Sequence, residues 1–215
     1  MSRPFALIAG AGGVLGESLA WQFGAAGYEV AGLRRADCDL ADGDAVARAI
    51  AALIERHGPV DTLLYNAGHL AVAPFLELEA SALRACLEAG PVGAAHCARA
   101  VLPGMLAVGR GNLIFTGATA SLRGSARFAA MAAGKFALRG LVQSLAREFQ
   151  PQGIHVAHVV LDGLLGGSVA ASRHAAEDAP VMAPDGVAAN FLWLAQQSPF
   201  AWTQELDLRT AWEKF

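Results

Sequence analysis

Short apolar runs and amphipathic stretches alternate along this chain. Six runs, Phe5–Ala9, Glu29–Leu33, Thr62–Asn66, Asn112–Thr116, His155–Val160 and Gln204–Leu208, read as strands. Helical patterns lie between them, near Val14–Ala25, Asp44–Arg56, Glu79–Ala89, Pro91–Ala107, Ala126–Gln150 and Pro184–Gln197. Strands alternating with helices of this length predict an α/β domain, a parallel sheet covered by helices on both faces. The second to fifth runs alternate poorly, as in Thr62-Leu63-Leu64-Tyr65, which marks strands buried on both sides. No repeat, linker or low-complexity tract divides the chain, so residues 1–215 read as a single domain. The Gly-, Ala- and Ser-rich stretch Gly163–Asp185 predicts a mobile loop with a short helix.

Composition narrows the function classes. With 54% hydrophobic residues among 215, disorder is excluded and one core is expected. Charged residues make up only 16%, so part of the surface is expected to face protein, as in a homo-oligomer. A net charge of −3 gives no basic footprint for nucleic acid or an anionic membrane. Cys38, Cys86 and Cys97 have no metal-like spacing and no secretory leader before them, and read as reduced thiols of a cytoplasmic protein. The apolar stretch Ala89–Val108 is interrupted by Pro91, His96, Arg99 and Pro103 and does not read as a membrane span.

The first predicted strand runs into Ala9-Gly10-Ala11-Gly12-Gly13-Val14-Leu15-Gly16, which opens a helix. A strand, a glycine turn and a helix form a dinucleotide site, because backbone N–H groups at the helix start face the pyrophosphate where side chains would obstruct it. Without further motifs, the same glycines would read as a tight turn with no ligand. Further motifs are present: Tyr65-Asn66-Ala67-Gly68 at the end of the third strand, Leu113-Ile114-Phe115-Thr116-Gly117 at the end of the fourth, Lys135 on a long helix, and Asp162-Gly163 after the fifth.

In this order, over essentially the whole length, the chain resembles the short-chain dehydrogenase/reductase family. The resemblance implies a Rossmann-like doubly wound parallel sheet and an NAD(P) cofactor. Gly10, Gly12, Gly13, Val14 and Leu15 would cradle the pyrophosphate, and the Gly10-x-x-Gly13-x-x-Gly16 spacing is similar to that of the family's extended and atypical branches. Val14 stands where the usual pattern has glycine. Asp39 and Leu40 would line the adenine pocket. Asn66, Ala67 and Gly68 would pass under the ribose and steady the central sheet.

Two departures follow. Leu33 is joined to Asp39 only by Arg34-Arg35-Ala36-Asp37-Cys38, too short for the crossover of a dozen or more residues that a further parallel strand needs. The sheet should therefore have about six strands, shortened after the second. Arg34 and Arg35 at that place favour the 2′-phosphate of NADP, although solvated loop charges are the plain alternative and Asp37 offers a contact to the ribose of NAD.

The second departure concerns chemistry. The family moves a hydride between nicotinamide and a carbonyl or alcohol carbon, using a Tyr as proton donor or acceptor, a Lys four residues later, a Ser and an Asn. Only Lys135 is retained, and on this alignment its remaining role is cofactor binding. The tyrosine position is Met131, the serine position Ala118 and the asparagine position Gly90, none of which carries a transferable proton. Tyr28 and Tyr65, the two tyrosines, lie elsewhere. Thr116, Thr119 and Ser121 offer hydroxyls near the fourth strand end, and a loop shift would bring Thr119 toward the nicotinamide; satisfying local backbone groups is their plain alternative. Asp162 stands at the proline of the family's Pro-Gly and, with His158, offers a titratable group near the fifth strand's end. Core or capping roles are the alternative for both, and packing is expected for His96. Three readings therefore stand: an oxidoreductase with atypical proton transfer, a nucleotide-binding regulator or scaffold without turnover, and non-redox chemistry with the nucleotide as a structural ligand. The resemblance also implies a homodimer or homotetramer pairing through the helices that carry His96 and Lys135.

Overall fold

In the computed structural model, which describes residues 3–174 and 180–212, the chain alternates as the hydrophobic pattern requires. Strand β1 (Phe5–Ala9) leads to α1 (Val14–Ala25), β2 (Glu29–Leu33), α2 (Gly43–His57) and β3 (Thr62–Tyr65). Then come α3 (Ala80–Leu87), a wide π-type turn at Glu88–Val92, α4 (Gly93–Val108) and β4 (Gly111–Thr116). The chain continues through α5 (Ala129–Phe149), β5 (Ile154–Asp162), α6 (Val169–His174), α7 (Pro184–Ala195) and β6 (Glu205–Arg209). Among the described residues, six strands form one parallel sheet in the order β2-β1-β3-β4-β5-β6. Leu33 and Gly43, both described with all residues between them, are joined without an intervening strand or helix, in accord with the shortened crossover.

Alternate residues along each strand feed two cores. Leu7, Leu63, Leu113 and Val156 share one register row and pack beneath α2, α4 and α5. Ile8, Leu64, Ile114 and Ala157 point the other way, against α1 and α7. Burial on both faces explains why β3 through β5 lack polar–apolar alternation. β2 departs from the expected burial on both sides because it lies at the sheet edge: only Leu33 is buried, Gly32 is exposed and the rest are partly buried.

Three of the differences from the sequence expectations exceed a one-residue shift at a strand end and have a physical reason or a consequence for the site. α5 starts at Ala129 rather than Ala126, because Arg127 takes a left-handed conformation, φ 70°, that a helix cannot continue. The predicted helices Glu79–Ala89 and Pro91–Ala107 do not separate at Gly90 but join through the wide turn. There Gly90 is non-helical and the Gly93 N–H reaches back to Glu88 O. Pro91 causes this, since it lacks an N–H and its ring crowds the preceding turn. β5 is longer than expected, reaching Asp162, and carries that carboxylate to the C-terminal edge of the sheet. Within Gly163–Asp185 the short helix is α6; residues 175–179 of that stretch lie outside the described residues.

The strands' C-terminal ends meet where connections from β1 and β3 leave on opposite faces. Open parallel sheets place ligands at such a crevice.

Candidate functional site

Backbone geometry at the end of β1 requires glycine. Gly10 has φ 86°, and a Cβ there would lie 2.5 Å from the Ala67 nitrogen. Gly13 precedes α1 with φ 89°, and no side chain caps the helix, so its first N–H groups stay open to an anion. Gly16 sits against the Ala11 backbone. The Gly10 and Ala11 N–H groups both donate to Leu33 O, tying the turn to β2. Asn66 Nδ2 donates to Gly10 O at 3.1 Å and its Oδ1 accepts from Thr116 Oγ1 at 3.2 Å, so one amide links the ends of β1, β3 and β4.

A groove of about 270 Å³ runs beside this turn. Gly10, Gly12, Asp39, Leu40, Ala67 and Gly68 line it, with Arg34 and Arg35 at its exposed rim. Asp37 Oδ2 accepts the Arg34 N–H at 2.8 Å, closing the turn on which both arginines ride. Asp39 similarly accepts the Ala41 N–H. Asp42 caps α2 by accepting from Asp44 and Ala45, and those backbone bonds hold its carboxyl below the ordinary range.

A second cavity of about 580 Å³ opens past the ends of β4 and β5. Asn66, Gly68 and His69 line both spaces, so the groove and the cavity share a wall at the end of β3. Met131 and Lys135, one turn apart on α5, both face the second cavity, as the i, i+4 spacing predicts. Ala118 faces it too. Gly90 does not; it is buried against the Gly134 carbonyl, so an asparagine side chain there would have to displace α5 backbone.

The Lys135 ammonium donates to Thr116 O at 2.7 Å. Desolvation brings its pKa down to about 8, with the nearby Cys86 thiol acting in the opposite sense. Thr119 Oγ1 donates to Asp162 Oδ1 at 2.5 Å, and both residues line the cavity. Arg209, opposite Asp162 in the β5–β6 register, lies 3.3 Å from Oδ2 and also pairs with Asp207. Thr119 and Asp162, read separately from the sequence, are thus brought together at the cavity wall.

Other candidates fall outside the cavity. Ser121 is fully buried and accepts the Ala118 N–H, and Thr116 is engaged with Asn66 and Lys135. His96 Nδ1 binds Leu40 O at 3.1 Å, fastening α4 to the segment after β2. His158 is wholly buried beneath Gly117, with Nδ1 3.0 Å from Glu205, whose carboxylate also takes two 2.7 Å bonds from Arg139. Burial lowers the His158 pKa, while Glu205 works to raise it. An ionised Glu205 fixes the proton on Nδ1, leaving Nε2 an acceptor without a partner. A Cβ at Gly117 would collide with that nitrogen, so glycine is required there.

The sequence reading missed the His158–Glu205–Arg139 network, although Arg139 lies one turn beyond Lys135 and Glu205 opens the last strand. It also missed the role of Tyr65. Because the Gly93 N–H bonds to Glu88 O, the Ala89 carbonyl loses its helical donor, and the buried Tyr65 hydroxyl supplies one at 2.8 Å. Burial pushes the pKa of that phenol up. Tyr28 packs edge-on against Phe23. Neither tyrosine lines the cavity.

Residues 34–177 match the family described as short chain dehydrogenase. Over 169 residues the chain is 31% identical to the 3-oxoacyl-[acyl-carrier-protein] reductase MabA of Mycobacterium tuberculosis, covering 74% of this chain and 68% of that protein. A crystal structure of a short-chain dehydrogenase from Rhodopseudomonas palustris superposes with a TM-score of 0.83 at 32% identity, covering 96% of this chain and 98% of that one. A gluconate 5-dehydrogenase from Burkholderia cenocepacia, in complex with NADP and tartrate, shares the fold with a TM-score of 0.85 at 21% identity, over 97% and 94% of the two chains.

Proposed function

Because this chain belongs to the short-chain dehydrogenase/reductase family, we propose that it binds NADP along the groove and works on an alcohol or carbonyl carbon with atypical proton transfer. The observation that supports this reading is that the two cavities share Asn66, Gly68 and His69 in their linings, past which an extended dinucleotide would run from Arg34 to Lys135. The residues fit the cofactor at the point where fit is most demanding: Gly10 and Gly13 hold positive φ, and Gly12 leaves open space where a side chain would obstruct a pyrophosphate. Gly12, Gly13, Val14 and Leu15 would hold the phosphates through backbone N–H groups. Arg34 and Arg35 would take a 2′-phosphate, since Asp37 is already turned to the Arg34 N–H. Asp39 and Leu40 would border the adenine, and Asn66, Ala67, Gly68 and Lys135 the nicotinamide riboside. The nicotinamide, when bound, supplies or accepts a hydride at the substrate carbon. Lys135 orients ribose hydroxyls through its ammonium. Met131 and Ala118 shape an apolar wall and exchange no proton.

That wall favours a second reading, a nucleotide-binding protein without turnover. NADPH oxidation against a panel of ketones separates the two. The catalytic reading expects wild-type turnover that Lys135→Ala abolishes. The second expects none from the wild type and a gain in a Met131→Tyr/Ala118→Ser double variant.

Pairing with a second copy through α4 and α5 is supported by the exposure of Val108 and Phe136, and fits a homodimer or homotetramer. The three cysteines are free and buried, in keeping with a reducing, cytoplasmic setting.

A further inference from the structure

We propose that Thr119 and Asp162 form a proton-accepting dyad that recognises a substrate hydroxyl in the larger cavity; this rests on the family chemistry proposed above. A threonine hydroxyl has one proton and two lone pairs. At Thr119, one of the cavity's lining residues, the proton is committed to the Asp162 carboxylate at 2.5 Å, so what Oγ1 has left for a ligand is a lone pair. With Asp162 ionised, Thr119 therefore accepts a hydrogen bond from an alcohol rather than donating one to a carbonyl oxygen. Asp162 is nearly buried and lies 3.3 Å from Arg209, and as a carboxylate it has acceptor oxygens only, so it takes the Thr119 proton rather than giving one.

Two of the other polar side chains near the family's serine and tyrosine positions, Asn66 and Lys135, are already engaged. Asn66 spans Gly10 and Thr116, and Lys135 holds Thr116 O. Thr119 follows Ala118 in the chain, so the dyad stands beside the place where the family keeps its serine. In alcohol oxidation the substrate O–H bond breaks and its proton passes to Thr119 Oγ1 as the threonine's own proton passes to Asp162 Oδ1. The O–H electron pair becomes the second bond of the carbonyl, and the carbon's hydrogen leaves with its pair of electrons to the oxidised nicotinamide, the two-electron acceptor. The proton count closes on a protonated Asp162, which then releases it to water.

The cavity walls are otherwise largely apolar, with Leu70, Phe128, Met131, Leu161 and Leu165 among them, which suits a hydrophobic secondary alcohol. The probes are therefore 1-tetralol and its methyl ether, which has the same shape but no hydroxyl proton. Binding to cofactor-free protein is measured by ligand-observed NMR. The wild type is expected to prefer the alcohol about tenfold, Thr119→Ser to keep that preference and Thr119→Val to lose it. Alcohol and ether binding alike, or neither binding, overturns the proposal. With NADP present, Thr119→Val and Asp162→Asn are expected to reduce 1-tetralol oxidation at least about 100-fold, the scale of general base catalysis, while leaving NADP affinity unchanged. Unchanged oxidation in both variants also overturns it. Loss of NADP binding in the wild type with the alcohol preference intact would instead sink the cofactor reading and leave the hydroxyl site standing.

Discussion

Replacing Lys135 by methionine separates what the lysine does for folding from what it does for binding. Its pKa falls from the ordinary 10.5 to about 8 because the ammonium is desolvated. At about 1.4 kcal/mol per pKa unit, holding the charge at neutral pH costs the folded state about 3 kcal/mol. The Lys135→Met substitution removes that cost and also removes the bond to Thr116 O, whose loss is worth about 1–2 kcal/mol. The variant should therefore be more stable by about 1–2 kcal/mol at pH 7. The pH dependence carries a sign that the substitution alone does not. Between about pH 8 and 10.5 the unfolded chain holds a lysine proton that the folded chain has released. Wild-type stability thus rises with pH across that window, and the Lys135→Met variant lacks this contribution. Urea denaturation of both proteins at pH 7 and at several points up to pH 10 reads the difference, in which other titrating groups cancel. Saturating NADPH should stabilise the wild type, by about 2.7 kcal/mol at a hundredfold excess over Kd, and do little for the variant. A variant less stable at pH 7, with a pH curve parallel to that of the wild type, would refute the desolvation argument.

Tyr65→Phe leaves the Ala89 carbonyl without its donor and should destabilise the protein by about 1–3 kcal/mol, measured as a fall in the urea midpoint with unchanged slope. Gly117→Ala drives a Cβ into His158 and should cost about 2 kcal/mol or more, within the range for overpacking. Adding His158→Ala should recover part of that loss, and a double-mutant cycle showing strict additivity would place the clash elsewhere.

How much of this was legible in the sequence depended on whether the signal was local. Strand and helix types followed from periodicity because each element buries a face in one of two cores, as Leu7 and Ile8 do on adjacent positions. The missing edge strand was legible as chain length, since the residues between Leu33 and Asp39 cannot cross over. The placement of Met131 beside Lys135 was legible because helical spacing fixes it. The start of α5 was not, because the left-handed Arg127 has no signature of its own: it is neither glycine nor asparagine. The link from Tyr65 to Ala89 was hidden for another reason. It depends on a helix distortion at Pro91 meeting a side chain from a strand 24 residues earlier. The Thr119–Asp162 and His158–Glu205–Arg139 contacts join residues 43 to 66 positions apart, and only the assembled sheet brings them together.

Titration with NADPH and NADH by isothermal calorimetry tests the cofactor groove most directly. Saturable binding at one site per chain is predicted, tighter for NADPH, with the preference removed by an Arg34→Glu/Arg35→Glu double variant. Absence of saturable binding to either nucleotide would contradict the account, and an NADPH preference that survives the double variant would remove the arginines from it.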